Sequence, residues 1–283
     1  MNIVIAALML LAQWTAFPTP GVPKGADGKP NLTAPPPRAA DGKVDFSGIW
    51  NNYRPPAPQR GQGAAAGAAA GAAAPAPAPT PAPPPAGTPP LASFGNIASG
   101  IKGGAPLQPW AAELVKKRMA DNSKDNPDAH CLPMGNMQFH THPQPRKIIQ
   151  TPGVIYIIYE ANSGLRQIFT DGRSLPPKDA DPWWYGYSVG KWDGDTLIVE
   201  TTNFRDEGWL DVRGNPLTTT GKMIERFRRP TYGSLEIDVT IDDPKAYTEA
   251  FTVRVDQRVM LDTELIEFIC EDRDATHYVG ATK

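Results

Sequence analysis

The sequence lacks a long hydrophobic run and an excess of charge of either sign. Its longest apolar stretch, residues 3–12, is far shorter than the roughly 20 residues that a membrane-spanning helix needs. Lysine and arginine number 28, aspartate and glutamate number 30, and both kinds are spread along the chain. A surface that binds a polyanion needs clustered basic residues. We therefore expect neither a transmembrane segment nor a nucleic-acid partner.

The sequence also lacks the short motifs that mark the commonest enzyme classes. It contains no GxSxG, no phosphate-binding Walker loop, no HExxH and no GxGxxG. These absences exclude, by motif, the usual serine hydrolases, nucleotide-binding proteins and dinucleotide-dependent enzymes. We therefore expect no cofactor.

Cysteine is scarce, with only Cys131 and Cys270 in 283 residues. In an exported chain, two cysteines are most simply explained as one disulfide bond. The alternative is two unrelated buried thiols.

The short apolar run near the start has the length and position of a secretory signal segment. Ala12 and Ala16 supply small residues where a signal peptidase could cut, although no lysine or arginine precedes the run. Gln13 stands where a lipoprotein signal would need cysteine. We predict a signal peptide over 1–16 and an exported protein, periplasmic or secreted. A buried or disordered N-terminus is the alternative.

Proline divides the rest of the chain, since 19 of the 32 prolines lie between Pro18 and Pro90. From Gly61 to Pro90 nearly every residue is alanine, glycine or proline, so burial cannot offset the entropy lost on ordering. The predicted organisation is a flexible segment at 17–43, a first strand at 44–53, a disordered spacer at 54–94 and a β-domain at 95–283.

After one short helix, predicted over 107–120, the pattern is that of strands. Short segments rich in valine, isoleucine, threonine and aromatic residues are separated by Pro-Gly, Asp-Gly and similar turns. The connections are mostly too short for parallel crossovers, so antiparallel neighbours in a barrel or sandwich are expected. The predicted strands are 146–150, 154–160, 165–170, 185–192, 195–203, 222–229, 234–241, 250–257 and 265–271.

Glu225 lies between two large apolar residues on one predicted strand. A period of two places Glu225 on one face with Met223 and Phe227, and places Arg226 on the other face. Burial without a partner raises the pKa of a carboxyl group toward values useful in acid–base catalysis. The alternative is a structural ion pair with an arginine of the adjacent strand, such as Arg254.

The densest aromatic cluster of the sequence is typical of a binding pocket or of a barrel core. Trp183 and Trp184 directly precede Tyr185 and Tyr187, which alternate with small residues. Large aromatic surfaces with polar tips suit a flat apolar ligand. The cluster therefore predicts a site for an apolar or aromatic small molecule, with ordinary core as the alternative.

Further candidate ligand-binding residues lie on a neighbouring strand and on two long connections. Tyr156 and Glu160 share one face of a predicted strand, although Glu160 could lie beyond the strand end in water. The two connections that are too long for simple turns carry Arg173 and Trp209. Arg173 could meet an anionic group of a ligand, or it could simply belong to a turn.

His140 and His142 are two residues apart, so on an extended backbone both imidazoles would point the same way. With His130 and Cys131 upstream they could form a zinc or copper site. A disulfide would remove Cys131 from such a site, and Pro143 indicates an irregular segment. We therefore predict no bound metal and treat His140 and His142 as candidate acid–base groups.

Several segments occur in a characteristic order: FSGIW at 46–50, CLP at 131–133, IQTPG at 149–153, FTDGR at 169–173, SVGKWDGDTL at 188–197 and ERF at 225–227. This order resembles a family of exported bacterial proteins with a lipocalin-like (calycin) fold. The resemblance covers 44–271 apart from the spacer. It implies a lipocalin-like β-barrel and no particular activity. With the strand pattern, it leads us to predict an all-β, antiparallel barrel of 8–10 strands with one short helix and a disordered Ala/Pro/Gly-rich insertion.

The chain departs from the pattern of that family at four positions. Tyr187 and Leu217 stand where a histidine is common, and His140 and His142 stand where apolar or small residues are usual. A histidine-based site of the family would therefore be altered in this chain, through a changed substrate or a lost activity.

Two main functional interpretations follow for such a barrel. In the first, it takes up an apolar or aromatic small molecule and catalyses a cofactor-free cyclisation, isomerisation or elimination. In the second, the same pocket only binds or carries the molecule. A third treats the barrel as a surface-displayed interaction module. The candidate catalytic residues, which would move a proton or stabilise negative charge, are Glu225, His140, His142, Tyr187, Arg173 and Arg226.

Overall fold

Nine strands form a closed barrel, which confirms the predicted all-β barrel. The computed structural model describes residues 17–53, 87–268 and 270; the predicted signal peptide and most of the predicted spacer, 54–86, lie outside them. In chain order the strands and helices are β1 (Gly48–Asn52), α1 (Pro109–Ala120), α2 (Asn136–Thr141), β2 (Arg146–Thr151), β3 (Val154–Tyr159), β4 (Leu165–Phe169), β5 (Tyr187–Asp193), β6 (Thr196–Thr202), β7 (Lys222–Thr231), β8 (Ser234–Asp242) and β9 (Phe251–Met260).

Alternating apolar residues point into the barrel and form its core. On β8, Leu235, Ile237, Val239 and Ile241 are at most 1% exposed, while the residues between them face outward. Full burial of such a side chain contributes about 1.5–3 kcal/mol. The period-two pattern thus fixes which face of β8 is inside.

One strand pair departs from the predicted antiparallel arrangement. β4 and β5 run parallel and pair only at Ile168–Ser188 and Phe169–Val189, whereas every other neighbouring pair in the barrel is antiparallel. The long connection 170–186 allows this, because a parallel neighbour requires a crossover of a dozen or more residues. Since β5 begins beside the end of β4, the first residues of β4, 165–167, have no β5 residue opposite them.

The predicted last strand, 265–271, is wrong in its described part. Residues 263–268 have no regular structure, and Ile266 is 72% exposed. β1 already pairs with β9 and closes the barrel, so no edge remains for a further strand. The tail is held instead by the Cys131–Cys270 disulfide, which confirms the predicted bond.

The chain contacts the same part of β9 just before the predicted spacer of residues 54–94 and again near the end of that spacer. The amide of Tyr53 donates to the carbonyl of Asp256 at 2.8 Å, and the amide of Ala92 donates to the carbonyl of Arg254 at 2.8 Å. Both acceptors lie on β9, two residues apart. The chain therefore leaves the wall and returns to it beside the same strand.

The described residues contain two α-helices where the sequence predicts one. α1 confirms the prediction, with Pro109 in its first turn and Ala111 and Val115 buried. α2, whose six residues are all buried, replaces the extended backbone expected around His140. Arg146 holds its C-terminal end, donating from Nη1 to the carbonyl of His140 at 2.7 Å. Neither helix is long and apolar enough to cross a bilayer, a finding limited to the described residues.

Candidate functional site

A fully buried ionic cluster joins three elements inside the barrel. Glu225 on β7 accepts a hydrogen bond from Arg166 Nη1 of β4 at 2.8 Å, and its second carboxylate oxygen contacts Nη2. His140 on α2 lies with Nε2 2.6 Å from Glu225 Oε1. All three side chains are at most 1% exposed. The inward face predicted for Glu225 is therefore confirmed.

The partner of Glu225 is the buried Arg166, and not Arg254 as suggested from the sequence. Arg254 lies on the outer face, where it contacts Glu236 and Asp256. The sequence did contain a signal for Arg166, because Arg166 alternates with Ile168 on β4 and so shares its inward face. The sequence pattern thus indicates that Arg166 faces inward, but it does not identify Glu225 as its partner.

The cluster fixes the protonation of Glu225 and His140. Burial raises the pKa of Glu225, but the charge of Arg166 and the hydrogen bonds from Arg166 and His140 outweigh it and lower the pKa to about 2. Glu225 is thus ionised at neutral pH, and the raised pKa expected of an unpaired carboxyl is wrong. Burial also lowers the pKa of His140 despite its bond to Glu225, so this histidine is neutral.

The neutral His140 has one defined tautomer. Because the Glu225 carboxylate can only accept, His140 Nε2 carries the proton and Nδ1 carries the lone pair. Nδ1 is buried and has no hydrogen-bond partner among the described residues. The ring therefore presents a free basic nitrogen to the interior.

Two hydroxyl groups surround the other side of Arg166. Ser188 Oγ accepts from Arg166 Nε at 3.2 Å and from Nη2 at 3.0 Å, and it lies 2.9 Å from Thr201 Oγ1. Thr201 Oγ1 also accepts from Arg166 Nη2, at 2.9 Å, so both hydroxyl groups accept from the guanidinium. Ser188 is accordingly a support for the arginine rather than a nucleophile.

The inward face of β3 is the one opposite to that carrying the candidate ligand-binding residue Tyr156. Ile155, Ile157 and Tyr159 point inward, which places Tyr156 on the outer face. The strand reads VIYIIY, so its pattern contains no polar residue that would distinguish the two faces. Glu160 follows the strand, and its carboxylate accepts from the amide of Ile266 at 3.0 Å. Neither Tyr156 nor Glu160 joins the cluster.

A cleft of about 310 Å³ opens in the barrel wall where β4 and β5 separate. It brings together the four predicted aromatic residues, Trp183, Trp184, Tyr185 and Tyr187, and Trp183 is 41% exposed. The other lining residues, from β4, β5 and the segment before α2, are Pro133, Leu165, Arg166, Gln167, Phe169, Gly186 and Ser188. Arg166 and Ser188 belong to both the cleft and the ionic cluster, so the two are adjacent.

Arg173 lies at the edge of this aromatic group and is already paired. Its guanidinium contacts both carboxylate oxygens of Asp171, at 2.6–3.0 Å, and lies 3.8 Å from the centre of the Phe169 ring. Its Nη1 donates to the hydroxyl of Tyr187 at 3.0 Å. The charge of Arg173 is therefore matched by Asp171 two residues earlier, which agrees with the turn alternative rather than with a cation held ready for an anionic ligand.

Other predicted site residues lie elsewhere. Trp209 is 2% exposed and packs under Arg118 at 4.2 Å, so it belongs to the packing of a long loop. The His142 ring meets the Phe94 ring edge-on at 4.7 Å, outside the ionic cluster. Arg226 is exposed on the outer face of β7. The described residues contain no group of three or more histidine, cysteine, aspartate or glutamate residues that could hold a metal.

No protein-family model, curated protein or solved structure matches this chain. Membership of the exported bacterial family stays a prediction.

Proposed function

We propose that the protein binds a small apolar or aromatic molecule in the cleft between β4 and β5. The observation that carries this proposal is the grouping of four aromatic side chains around a gap in the wall. A volume of about 310 Å³ is at the lower end of ligand sites and suits an aromatic molecule of two or three rings.

The cleft is a better position for the ligand than the centre of the barrel. Large side chains fill the interior, and Trp50, Phe139 and Phe227 are each at most 2% exposed. The cleft, by contrast, is open to the surface and lined by exposed or half-buried aromatic residues. We therefore place the ligand in the wall.

The charges around the cleft favour a neutral ligand. Arg166 is matched by Glu225, and Arg173 is matched by Asp171. A charged ligand would lose its hydration without gaining an unpaired partner of opposite charge. The site should therefore bind flat, uncharged aromatic molecules more tightly than charged ones.

Fluorescence titration with N-phenyl-1-naphthylamine, a neutral aromatic probe, tests this proposal. Trp183→Ala should weaken binding by about tenfold, because truncation of a central aromatic contact typically costs that much or more. Trp110→Ala is a matched control, since Trp110 on α1 is 44% exposed but lies outside the cleft. No saturable binding, or an equal loss in both variants, would contradict the proposal.

A second candidate function is cofactor-free acid–base catalysis, with His140 as the base in place of Glu225. The observation that favours it is the unpartnered Nδ1 of a neutral histidine, oriented by Glu225 through Nε2. The ring of Phe139, the neighbour of His140 on α2, is buried and lies with its centre 5.5 Å from that of Tyr185, which lines the cleft. An isomerisation or elimination that begins with removal of a proton next to a carbonyl fits this arrangement.

Exchange of the methyl protons of 2-acetonaphthone in D₂O, followed by NMR, separates catalysis from simple binding. Catalysed exchange that disappears in His140→Gln, with the dissociation constant unchanged, would support the enzyme. Binding without catalysed exchange in the wild-type protein would support the carrier.

We also propose that the protein is exported. The Cys131–Cys270 disulfide supports this, because such bonds persist mainly in oxidising compartments. The apolar run 3–12 supports it as well. Protein recovered from the periplasm or the medium of its host should begin near Gln13 or Phe17. A chain that keeps Met1 and remains in the cytoplasm would contradict export.

A further inference from the structure

We infer that the ligand carries an uncharged hydrogen-bond acceptor, such as a ketone, aldehyde or ester oxygen, and that the Tyr187 hydroxyl donates to it. This inference rests on the cleft proposed above as the binding site. It identifies Tyr187 as the residue that selects among aromatic ligands of similar shape.

Arg173 donates a hydrogen bond to the Tyr187 hydroxyl and so orients it. The guanidinium is fixed by contacts to both oxygens of Asp171 and by stacking on the Phe169 ring. In that position its Nη1 donates to the Tyr187 oxygen at 3.0 Å. The Tyr187 ring is itself stacked on Phe169, with centres 5.1 Å apart. Both partners of the bond are thus anchored on the same ring.

A phenol oxygen that accepts from a guanidinium still has its own proton to donate. No acceptor for that proton is found among the described residues. Tyr187 lines the cleft, so its hydroxyl is a donor available to a ligand there. Because the phenol oxygen accepts a hydrogen bond from Arg173, its own O–H is polarised and becomes a stronger donor.

Two other lining residues, Trp183 and Trp184, also favour an acceptor on the ligand. The indole N–H groups of Trp183 and Trp184 can only donate. A carboxylate would also accept, but the arginines near the cleft are paired: Arg173 with Asp171, and Arg205, which lies over Trp184, with Glu207. An uncharged acceptor satisfies the donors without bringing an unmatched charge into the cleft.

The test compares two probes of similar shape, 2-acetonaphthone and 2-ethylnaphthalene, by their displacement of N-phenyl-1-naphthylamine. The wild-type protein should bind the ketone about fivefold more tightly, as expected for one net hydrogen bond. Tyr187→Phe should remove this difference and leave the affinity for the hydrocarbon unchanged. Arg173→Met should reduce the preference, whereas Arg205→Met, at another stacked arginine, should preserve it.

The outcomes separate this inference from the proposed function. If neither probe displaces the fluorophore, the cleft is not the binding site and both fail. If both probes bind the wild-type protein equally, the site stands and the role of Tyr187 is wrong. An equal loss of both probes in Tyr187→Phe, with unchanged circular dichroism, would show that Tyr187 only packs, which also overturns the inference.

Discussion

Arg166 and Glu225 form a buried ion pair that crosses the barrel interior from β4 to β7. Arg166 Nη1 lies 2.8 Å from Glu225 Oε1, and the two side chains are 1% and 0% exposed. β5 and β6 separate their strands along the wall, so the pair ties two distant parts of the barrel together. Its desolvation cost makes such a pair a modest stabiliser when intact, but loss of one partner leaves a buried charge.

Removal of one partner should therefore be strongly destabilising. We expect Glu225→Gln to lower the free energy of unfolding by about 3–5 kcal/mol, because the Arg166 charge is left uncompensated. The double variant Arg166→Met/Glu225→Gln should lose less than the sum of the single variants. Guanidinium chloride titrations of all four proteins measure this coupling.

A surface pair provides the control for that cycle. Asp195→Asn breaks the exposed bidentate contact with Arg38 and should lower the free energy of unfolding by no more than about 1 kcal/mol. Additive effects of the Arg166 and Glu225 substitutions would contradict the coupling that the contact geometry implies.

The sequence reveals the elements of this site more readily than their contacts. Met223 and Phe227 on either side of Glu225 predict that it points inward, and this is correct. Its partner could not be predicted, because β4 and β7 meet only across a closed barrel whose strand order is not visible in the sequence. α2 was missed because a helix of six residues is too short to show a helical period.

Acid should destabilise the protein in two steps. Both folded-state pKa values are lowered: that of Glu225 from 4.5 to about 2, and that of His140 from 6.5 by burial. As the pH is lowered, each of these two groups is therefore protonated at a higher pH in the unfolded chain than in the folded protein. As the pH is lowered through 6.5, the free energy of unfolding should decrease because His140 is protonated more readily in the unfolded chain. As the pH is lowered from 4.5 toward 2, it should decrease again because of Glu225.

Unfolding free energies measured between pH 3 and pH 8 test these assignments. His140→Gln keeps a donor for Glu225 and should remove the upper step, while Glu225→Gln should remove the lower one. An unchanged slope between pH 6.5 and 4.5 in His140→Gln would show that another group causes it.

A side chain at position 186 should be strongly destabilising, because Gly186 has a positive φ of 64° and neighbouring atoms occupy the space that a Cβ would need. A Cβ there would lie 2.7 Å from atoms of Phe204, Thr201 and Thr202. Gly194 has a φ of 58° but no atom within 4 Å of a Cβ, so it is the matched control.

Gly194→Ala should cost about 1–2 kcal/mol, which is the strain of the left-handed conformation alone. Gly186→Ala should cost more than Gly194→Ala, because the clash adds to that strain. Gly186 lies between Tyr185 and Tyr187 in the cleft, so Gly186→Ala should also weaken binding of N-phenyl-1-naphthylamine. Denaturant titrations and probe titrations of both variants measure the two effects, and equal losses of stability would contradict the crowding.

The Cys131–Cys270 bond should supply much of the stability, because 139 residues separate its two cysteines. In the chain-entropy model a loop of that length contributes about 5 kcal/mol by restricting the unfolded chain. The tail also contacts the rest of the chain through the partly exposed Lys147–Glu264 ion pair and through a hydrogen bond from the Ile266 amide to Glu160. The double variant Cys131→Ser/Cys270→Ser should therefore unfold at a lower denaturant concentration, and wild-type protein treated with reductant should match it. If both keep the wild-type midpoint, the disulfide only fastens the tail and the barrel is stable without it.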